Sequence, residues 1–234
     1  MILSASDIDW QMQLDFPAKL VITPLLELGQ QLSTGAAAVD LRLGQEMMTA
    51  DRSVMPCLDP LAGKDAVLAS YLRKTYLSLG ESFILHPRQF ALAATLEYIH
   101  LPRGIAGHVI GRSRWARVGL VIAMATFVHP GYAGCLTLEL QNLGDVPIVL
   151  APGFPIAQLI LERVSYETGT DPGQLTCSVG LEFLQLLSEN DVTRLTELCE
   201  RRRLLTGDSG WEKLAQFLHK EVSDETGPDD VVAI

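Results

Sequence analysis

Short runs of β-prone residues, separated by Gly, Pro and polar turns, recur between residues 82 and 164. Runs of this length with such boundaries predict strands. An earlier run, Val39–Leu43, alternates apolar and charged residues, ends at Gly44 and predicts a half-buried strand. The later predicted strands are Ser82–Leu85, Phe90–Leu96, Ala106–Ile110, Leu120–Ala125, Leu136–Leu140, Ile148–Leu150 and Ile156–Leu161. Their connections leave no room for the helical crossovers of a parallel sheet, so the pattern favours an all-β barrel or sandwich.

Helical patterns flank and interrupt this β region. Ser6 and Asp7 can cap a short N-terminal helix. Lys64–Leu77 carries apolar residues close to helical spacing, which indicates a small helical insertion. Glu189–Leu205 and Trp211–Val222 are predicted to form amphipathic helices.

These patterns divide the chain into two parts. We expect a mainly β domain over residues 1–164, then a polar tail segment and a helical C-terminal extension over residues 165–234. A hydrophobic content of 48% and a mean hydropathy of +0.22 allow a sizeable core. No apolar run is long enough to cross a membrane, and no secretory signal is visible, so we expect a cytoplasmic protein.

The charge and the cysteines exclude some functions. A net charge of −10 disfavours binding to DNA or RNA, which depends on clustered Lys and Arg. A nucleotide ligand remains compatible, because a pocket can be locally basic on an acidic protein. The four cysteines are scattered, so neither a disulfide framework nor a four-cysteine zinc site is expected.

Three arginines lie close together between Gly111 and Gly119, at Arg112, Arg114 and Arg117. Planar guanidinium groups suit phosphate oxygens and carboxylates, so one interpretation is a triphosphate-binding site. The alternative is ion pairing with surface Asp and Glu, which an acidic protein supplies. The surrounding residues favour phosphate binding.

Nearby polar residues are further candidates, each with an ordinary alternative. Ser113 can orient a phosphate or a reacting water, or can be a turn residue. Glu139 lies on a strand face opposite the leucines, where it can be a general base or a solvated side chain. Tyr132, in a Gly-flanked turn, can approach a base or sugar, or belong to a plain hairpin. Gln158 can read a base edge or bond within the core.

The sequence lacks the signature of zinc-dependent deaminases, which is His-x-Glu followed by Pro-Cys-x-x-Cys. His219-Lys-Glu221 matches the first half and nothing matches the second. Any deamination by this chain is therefore expected to use no zinc at the reacting carbon. Neither a Walker-type loop nor a dinucleotide-binding glycine fingerprint is present.

Residues 34–164 carry an ordered series of motifs, which are Gly35–Gly44, Leu85–Glu97 with Leu101-Pro102, Gly111–Leu120, Pro130–Gly134, Thr137–Leu140 and Ile156–Leu159. In this order they resemble the dCTP deaminase family, within the trimeric dCTP deaminase and dUTPase superfamily. The resemblance implies a dUTPase-like distorted β-barrel or jelly-roll. It also implies a homotrimer with active sites between subunits.

The resemblance also implies roles for single residues. The glutamate matching Glu139 activates water for attack on C4 of cytosine, and the residues matching Ser113 and Arg117 orient that water and stabilise the developing charge. The backbone around Ala125 contacts the base. The arginine matching Arg112 holds the phosphates, with Mg²⁺ bound through the triphosphate.

Three features depart from the family pattern. His129 stands where an aspartate that meets the sugar is usual, Arg114 stands where a second serine is usual, and the tail that closes over the nucleotide has only a remnant in Gly173–Glu182. The missing aspartate is the base of dUTPases. We therefore expect deamination of dCTP or a related cytosine nucleotide. A non-catalytic nucleotide-binding relative is the alternative, and a dUTP diphosphatase or bifunctional enzyme is the least favoured.

Overall fold

The computed structural model describes residues 1–26, 28–32, 37–50, 72–122, 126–165, 180–181, 193–194 and 197. The chain divides into two units, of which the first comprises Met1–Ala50 and Arg73–Glu182. The second, Asp51–Leu72 with Phe183–Ile234, lies almost entirely outside the described residues.

The described part of the chain consists mainly of strands. They are β1 (Val21–Thr23), β2 (Val39–Ala50), β3 (Leu72–Tyr76), β4 (Phe83–Leu85), β5 (Phe90–His100), β6 (Ile105–Gly111), β7 (Leu120–Ile122), β8 (Phe127–Val128), β9 (Ala133–Asn142), β10 (Ile148–Leu150) and β11 (Pro155–Arg163). The short helices are α1 (Ala5–Gln13), α2 (Leu28–Gln31) and α3 (Ser113–Ala116).

Antiparallel pairing joins these strands into one large curled sheet. Among the described residues it follows the order β7, β9, β5, β2, β11, β6 and β8, with β1 added to β5 and β3 added to β2. β4 and β10 form a separate antiparallel pair. Register shifts interrupt the pairings of β2 with β5, of β5 with β9, and of β2 with β11, and such irregularities bend a sheet. The sheet thus curls into a half-barrel, which confirms the predicted mainly β fold.

The strands bury one apolar core. Alternate positions of the long strands point inward, and α1 adds Ile8, which is fully buried. The fully buried strand residues include Leu41, Leu43, Leu85, Ile99, Leu140, Leu150, Leu159 and Leu161. Burial of each leucine or isoleucine side chain contributes about 1.5–3 kcal/mol to the stability of the fold. The core therefore holds the curled sheet together.

Two buried polar side chains stabilise the point where β5 changes register. The pairing of β5 with β9 shifts between Ala94 and Tyr98, so the regular ladder of backbone hydrogen bonds is interrupted there. The Leu136 amide donates instead to the Thr95 hydroxyl oxygen at 2.9 Å. A buried backbone N–H without a partner costs free energy, and Thr95 removes this cost on the β9 side.

Glu97 likewise accepts a hydrogen bond from a backbone amide, on the side of β5 that faces β2. Its side chain is fully buried, and one carboxylate oxygen accepts from the Arg42 amide at 2.9 Å. The other oxygen accepts from the Gln31 side-chain amide at 2.9 Å. Burial raises the pKa of Glu97 above its ordinary value, and the hydrogen bonds from Arg42 and Gln31 oppose that rise.

The strand predictions agree closely with the structure, while two helix predictions need correction. Each strand predicted between residues 82 and 164 overlaps an observed one, and β5, β9 and β11 extend beyond their predicted limits. Residues 123–125 of the predicted strand Leu120–Ala125 lie outside the described residues, and β8 was not predicted. The N-terminal helix begins earlier than predicted, because Ser4 is the N-cap and forms a reciprocal capping box with Asp7. The predicted helical insertion is wrong over Leu72–Tyr76, which is a strand paired with β2.

Other predictions concern residues that the structure barely describes. The first part of the insertion, residues 64–71, and the helix Trp211–Val222 lie outside the described residues. Within Glu189–Leu205, the described residues Thr193, Arg194 and Glu197 are helical. The domain boundary at residue 164 stays a prediction. None of the described helices has the length and apolar character needed to cross a membrane.

Gly44 provides a test of how tightly β2 approaches β5. A Cβ at this position would lie 2.8 Å from the Ala94 carbonyl oxygen and 2.9 Å from that of Thr95. Because both obstacles are sheet backbone, Gly44→Ala should lower the free energy of unfolding by roughly 1–3 kcal/mol, measured by urea denaturation. Gly104→Ala is the matched control, since nothing lies within 4 Å of its Cβ position. Equal stability of the two variants would contradict this packing.

Candidate active site

A short helical segment displays the serine and two of the three predicted arginines. Arg112 follows β6 with an extended backbone and is the N-cap of α3, which carries Ser113 and Arg114 and ends at its C-cap, Arg117. The Arg117 amide donates to the Ser113 carbonyl oxygen at 3.2 Å. Residues four apart on a helical turn share a face, so Ser113 and Arg117 lie on the same side of α3. The side chains of Ser113, Arg114 and Arg117 are exposed, and that of Arg112 is half-buried.

Trp115 fixes this segment to the end of the neighbouring strand. Its indole Nε1 donates to the Pro155 carbonyl oxygen at 2.8 Å. Its ring stacks on Phe154 with centroids 6.1 Å apart and an angle of 24° between the planes. Trp115 therefore holds α3 against the turn that begins β11, and so sets the orientation of Ser113 and Arg117.

Arg112 is bound by a carboxylate from another strand. Its Nη1 donates to Asp40 Oδ2 at 2.6 Å, and the Gln158 side-chain amide donates to Asp40 Oδ1 at 2.9 Å. The side chains of Arg112 and Asp40 are 23% and 15% exposed. The structure thus brings two predicted residues, Arg112 and Gln158, together around Asp40, which the sequence interpretation did not identify as a site residue.

A close contact between two turns connects α3 to β9. Gly119 has a positive φ of 89°, and a Cβ there would lie 2.5 Å from the Gly144 nitrogen. The Leu143 amide donates to the Gly119 carbonyl oxygen at 2.8 Å. β7 then pairs with β9, with Leu120 opposite Asn142. The arginine segment therefore leads directly into the strand beside the one that carries Glu139.

Glu139 lies on the accessible face of β9, as the alternation predicts. Its neighbours Leu138 and Leu140 are buried, whereas Thr137 is exposed and Glu139 itself is half-buried. On one side of β9, Glu139 pairs with Leu92 of β5. On the other side, the last described pairing of β7 is Ile122 with Leu140, one residue short of Glu139. Among the described residues, no hydrogen bond or ion pair joins Glu139 to Ser113 or Arg117.

Tyr132, a predicted ligand contact in the turn before β9, forms hydrogen bonds with the backbone of its own turn. The Tyr132 hydroxyl donates to the Cys135 carbonyl oxygen at 2.7 Å, and its amide donates to the His129 carbonyl oxygen at 3.1 Å. Burial raises the pKa of Tyr132 well above its ordinary value, so the phenol stays neutral. Tyr132 thus braces its own turn.

His129 is exposed and belongs to a row of rings on the edge of the sheet. Its ring meets Phe127 edge-on, with centroids 4.8 Å apart. His108 lies on Phe127 at 5.1 Å and is 3.0 Å from a carboxylate oxygen of Glu162. The imidazole of His129 is therefore exposed while its ring packs against Phe127. It stands at the position where the family resemblance predicts a contact with the sugar.

Ala125 lies outside the described residues, so its predicted contact with a base stays a prediction. Within the described ranges, no group of three or more His, Cys, Asp or Glu side chains is arranged to hold a metal ion.

The fold and the residues together define a class of protein. A curled antiparallel β sheet presents a serine–arginine turn, a partly buried arginine and an accessible strand carboxylate, which is a set suited to an anionic ligand and acid–base chemistry. The family model described as dCTP deaminase-like matches residues 2–164. This chain belongs to the dCTP deaminase-like family.

Relatives at moderate identity agree with this assignment. A protein of Halorubrum lacusprofundi named dCTP deaminase is 42% identical over 167 residues, which cover 70% of this chain and 78% of the relative. A protein of Halobacterium salinarum named "dCTP deaminase, dUMP-forming" is 37% identical over 166 residues, covering 70% of this chain and 82% of the relative.

A solved structure supports the fold. The crystal structure of 2'-deoxycytidine 5'-triphosphate deaminase from Agrobacterium tumefaciens superposes with a TM-score of 0.52 at 22% identity. The match covers 84% of this chain and 53% of the other, so this chain spans about half the length of that protein. At this identity the likeness concerns the fold alone.

Replacing Trp115 tests whether it holds α3 in place. Trp115→Leu removes the bond to Pro155 and the ring contact with Phe154, which should cost roughly 1–3 kcal/mol of stability. Hydrogen exchange should also accelerate in peptides that cover α3, because the amides of Arg117, Val118 and Gly119 bond within this segment. Trp10→Leu is the control, since Trp10 is 53% exposed on α1. Unchanged exchange in α3 would show that Trp115 has no such role.

Proposed function

We propose that this chain deaminates dCTP by hydrolysis, giving dUTP and ammonia. The observation that carries the proposal is the placement of Ser113 and Arg117 on one side of α3, with Glu139 on an accessible strand face, in a member of the dCTP deaminase-like family. These residues supply a hydroxyl, a cation and a carboxylate. In the addition of water to an amidine carbon, a carboxylate can act as the general base, a hydroxyl can orient the water and a cation can stabilise the developing negative charge.

Each residue has a distinct task in the proposed reaction. Glu139 takes a proton from water, whose oxygen attacks C4 of the cytosine ring, and later gives a proton to the leaving amino group. Ser113 orients the water by hydrogen bonding. Arg117 stabilises the negative charge that develops on the ring. One water is consumed and one ammonia is released for each uracil nucleotide formed.

The phosphate end of the ligand is assigned to the arginine cluster. Arg112 uses one guanidinium donor on Asp40, and an arginine has five, so donors remain for phosphate oxygens. Arg114 and the imidazole of His129 add candidate contacts to the phosphates and the sugar. We expect Mg²⁺ to arrive on the triphosphate as part of the substrate, as the resemblance to the family implies.

The active unit is proposed to be a homotrimer. Within one chain, no hydrogen bond or ion pair among the described residues joins Glu139 on β9 to Ser113 or Arg117 on α3. A site built from the β9 of one protomer and the α3 of another would bring the carboxylate and the cation together. Such an arrangement would allow these three residues to act in one reaction.

Two other functions compete with simple deamination. The Halobacterium relative is named dUMP-forming, and a bifunctional enzyme would release dUMP and pyrophosphate from dCTP. Here His129 replaces the aspartate that such diphosphate cleavage uses in dUTPases, which argues for dUTP as the product. A non-catalytic nucleotide-binding protein is the other candidate, and it is motivated by His129 and Arg114, which stand where the family pattern has an aspartate and a serine.

Replacing Glu139 tests the proposed function. Glu139→Gln keeps the side-chain shape but cannot accept the proton, so kcat for ammonia release from dCTP with Mg²⁺ should fall by about 10²–10⁴-fold. Binding of dCTP, measured by calorimetry, should change by only a few fold.

Glu81→Gln is the control, because Glu81 is exposed in the turn after β3 and its carboxylate accepts from the local Ser78 amide at 2.7 Å. It should retain full activity. Full activity of the Glu139 variant would refute the role of this carboxylate, and nucleotide binding without ammonia release by the unaltered protein would favour the non-catalytic alternative.

A further inference from the structure

Asp40 connects two residues of the candidate site without being a ligand in the proposed reaction. Its two carboxylate oxygens have different partners, since Oδ2 accepts from Arg112 Nη1 at 2.6 Å and Oδ1 accepts from the Gln158 amide at 2.9 Å. The three residues come from β2, from the end of β6 and from β11. Asp40 therefore fixes the arginine from the middle of the sheet.

The backbone that carries Asp40 is itself held in place. The Gln31 side-chain amide donates to the Asp40 carbonyl oxygen at 3.1 Å and to the buried Glu97 carboxylate at 2.9 Å. Glu97 accepts from the amide of Arg42, two residues along β2. With its main chain fixed on β2 and its side chain bound on both oxygens, Asp40 has little freedom to move.

This geometry directs the guanidinium of Arg112. Only Nη1 contacts Asp40 in the structure, and an arginine fork offers four further N–H donors in a fixed plane. A free arginine side chain loses considerable rotamer entropy when it binds a ligand, and a prior anchor removes much of that cost. We infer that Asp40 is a positioning residue that orients Arg112 for the triphosphate of the substrate, an inference that rests on the proposed function of Arg112 as a phosphate ligand.

Two physical effects of Asp40 oppose each other, which makes the inference testable. Its negative charge partly offsets the attraction of Arg112 for phosphate, so removing the charge alone would tighten phosphate binding. Its geometry orients the arginine, so removing the anchor would loosen binding. If Asp40 is a positioning residue, the loss of orientation exceeds the gain in charge.

The test uses inorganic triphosphate with Mg²⁺ as the probe and the intact chain as the protein. Calorimetric titration should give weaker binding by about tenfold for Asp40→Asn and for Arg112→Gln. The double variant should be no more than about twofold weaker than Arg112→Gln alone, because Asp40 acts through that arginine. With dCTP, Asp40→Asn should raise KM more than it lowers kcat.

Asp9→Asn is the matched control, since Asp9 also accepts from a glutamine side-chain amide, that of Gln13 at 2.9 Å, but on the exposed face of α1. It should bind the probe as the unaltered protein does. If Asp40→Asn fails to fold, Gln158→Leu replaces it in the same cycle, because it removes the anchor on Oδ1 and leaves the Asp40–Arg112 pair.

Three results would overturn the inference. They are unchanged or tighter probe binding by Asp40→Asn, independent effects of Asp40 and Arg112 in the double variant, and no binding of the probe by the unaltered protein. Failure of the proposed function looks different. In that case, inorganic triphosphate would bind with the expected dependence on Asp40 and Arg112, while dCTP would release no ammonia.

Discussion

Where β5 changes register between its two neighbours, side chains take the place of backbone hydrogen bonds. Thr95 accepts the Leu136 amide of β9, and the buried Glu97 accepts the Arg42 amide of β2. An unpaired amide at either point would cost about 1–3 kcal/mol, so a sheet that curls here depends on these two acceptors. The close approach of Gly44 to the Ala94 and Thr95 carbonyl oxygens belongs to the same junction.

Residues of the candidate site lie on both strands that flank β5, which are β9 and β2. β9 continues to Glu139, and β2 carries Asp40, which binds Arg112 just after β6 and Gln158 on β11. In the proposed reaction, the sheet supplies one carboxylate for chemistry and another for orientation. The exposed serine and arginines lie on α3, which Trp115 attaches to the same framework.

Local sequence patterns predicted the strands and the directions of their side chains, but they could not predict contacts between residues far apart in sequence. Alternation placed Glu139 on the accessible face of β9 because side-chain direction depends only on position along a strand. The helix expected over Leu72–Tyr76 was wrong because pairing with β2 outweighs a weak helical spacing. The strand predicted over Val39–Leu43 was correct, but the role of Asp40 could not be predicted because its partners lie 72 and 118 residues away in sequence.

In the proposed reaction, water activated on β9 replaces the amino group of cytosine. Incubation of the protein with dCTP and Mg²⁺ in ¹⁸O-labelled water, followed by mass spectrometry of the products, follows that water oxygen. Deamination by this route gives ammonia and a uracil nucleotide with one ¹⁸O atom in the base and none in its phosphates. Label in the phosphates would indicate a diphosphate-cleaving enzyme, and a uracil base without label would refute the attack of water on C4.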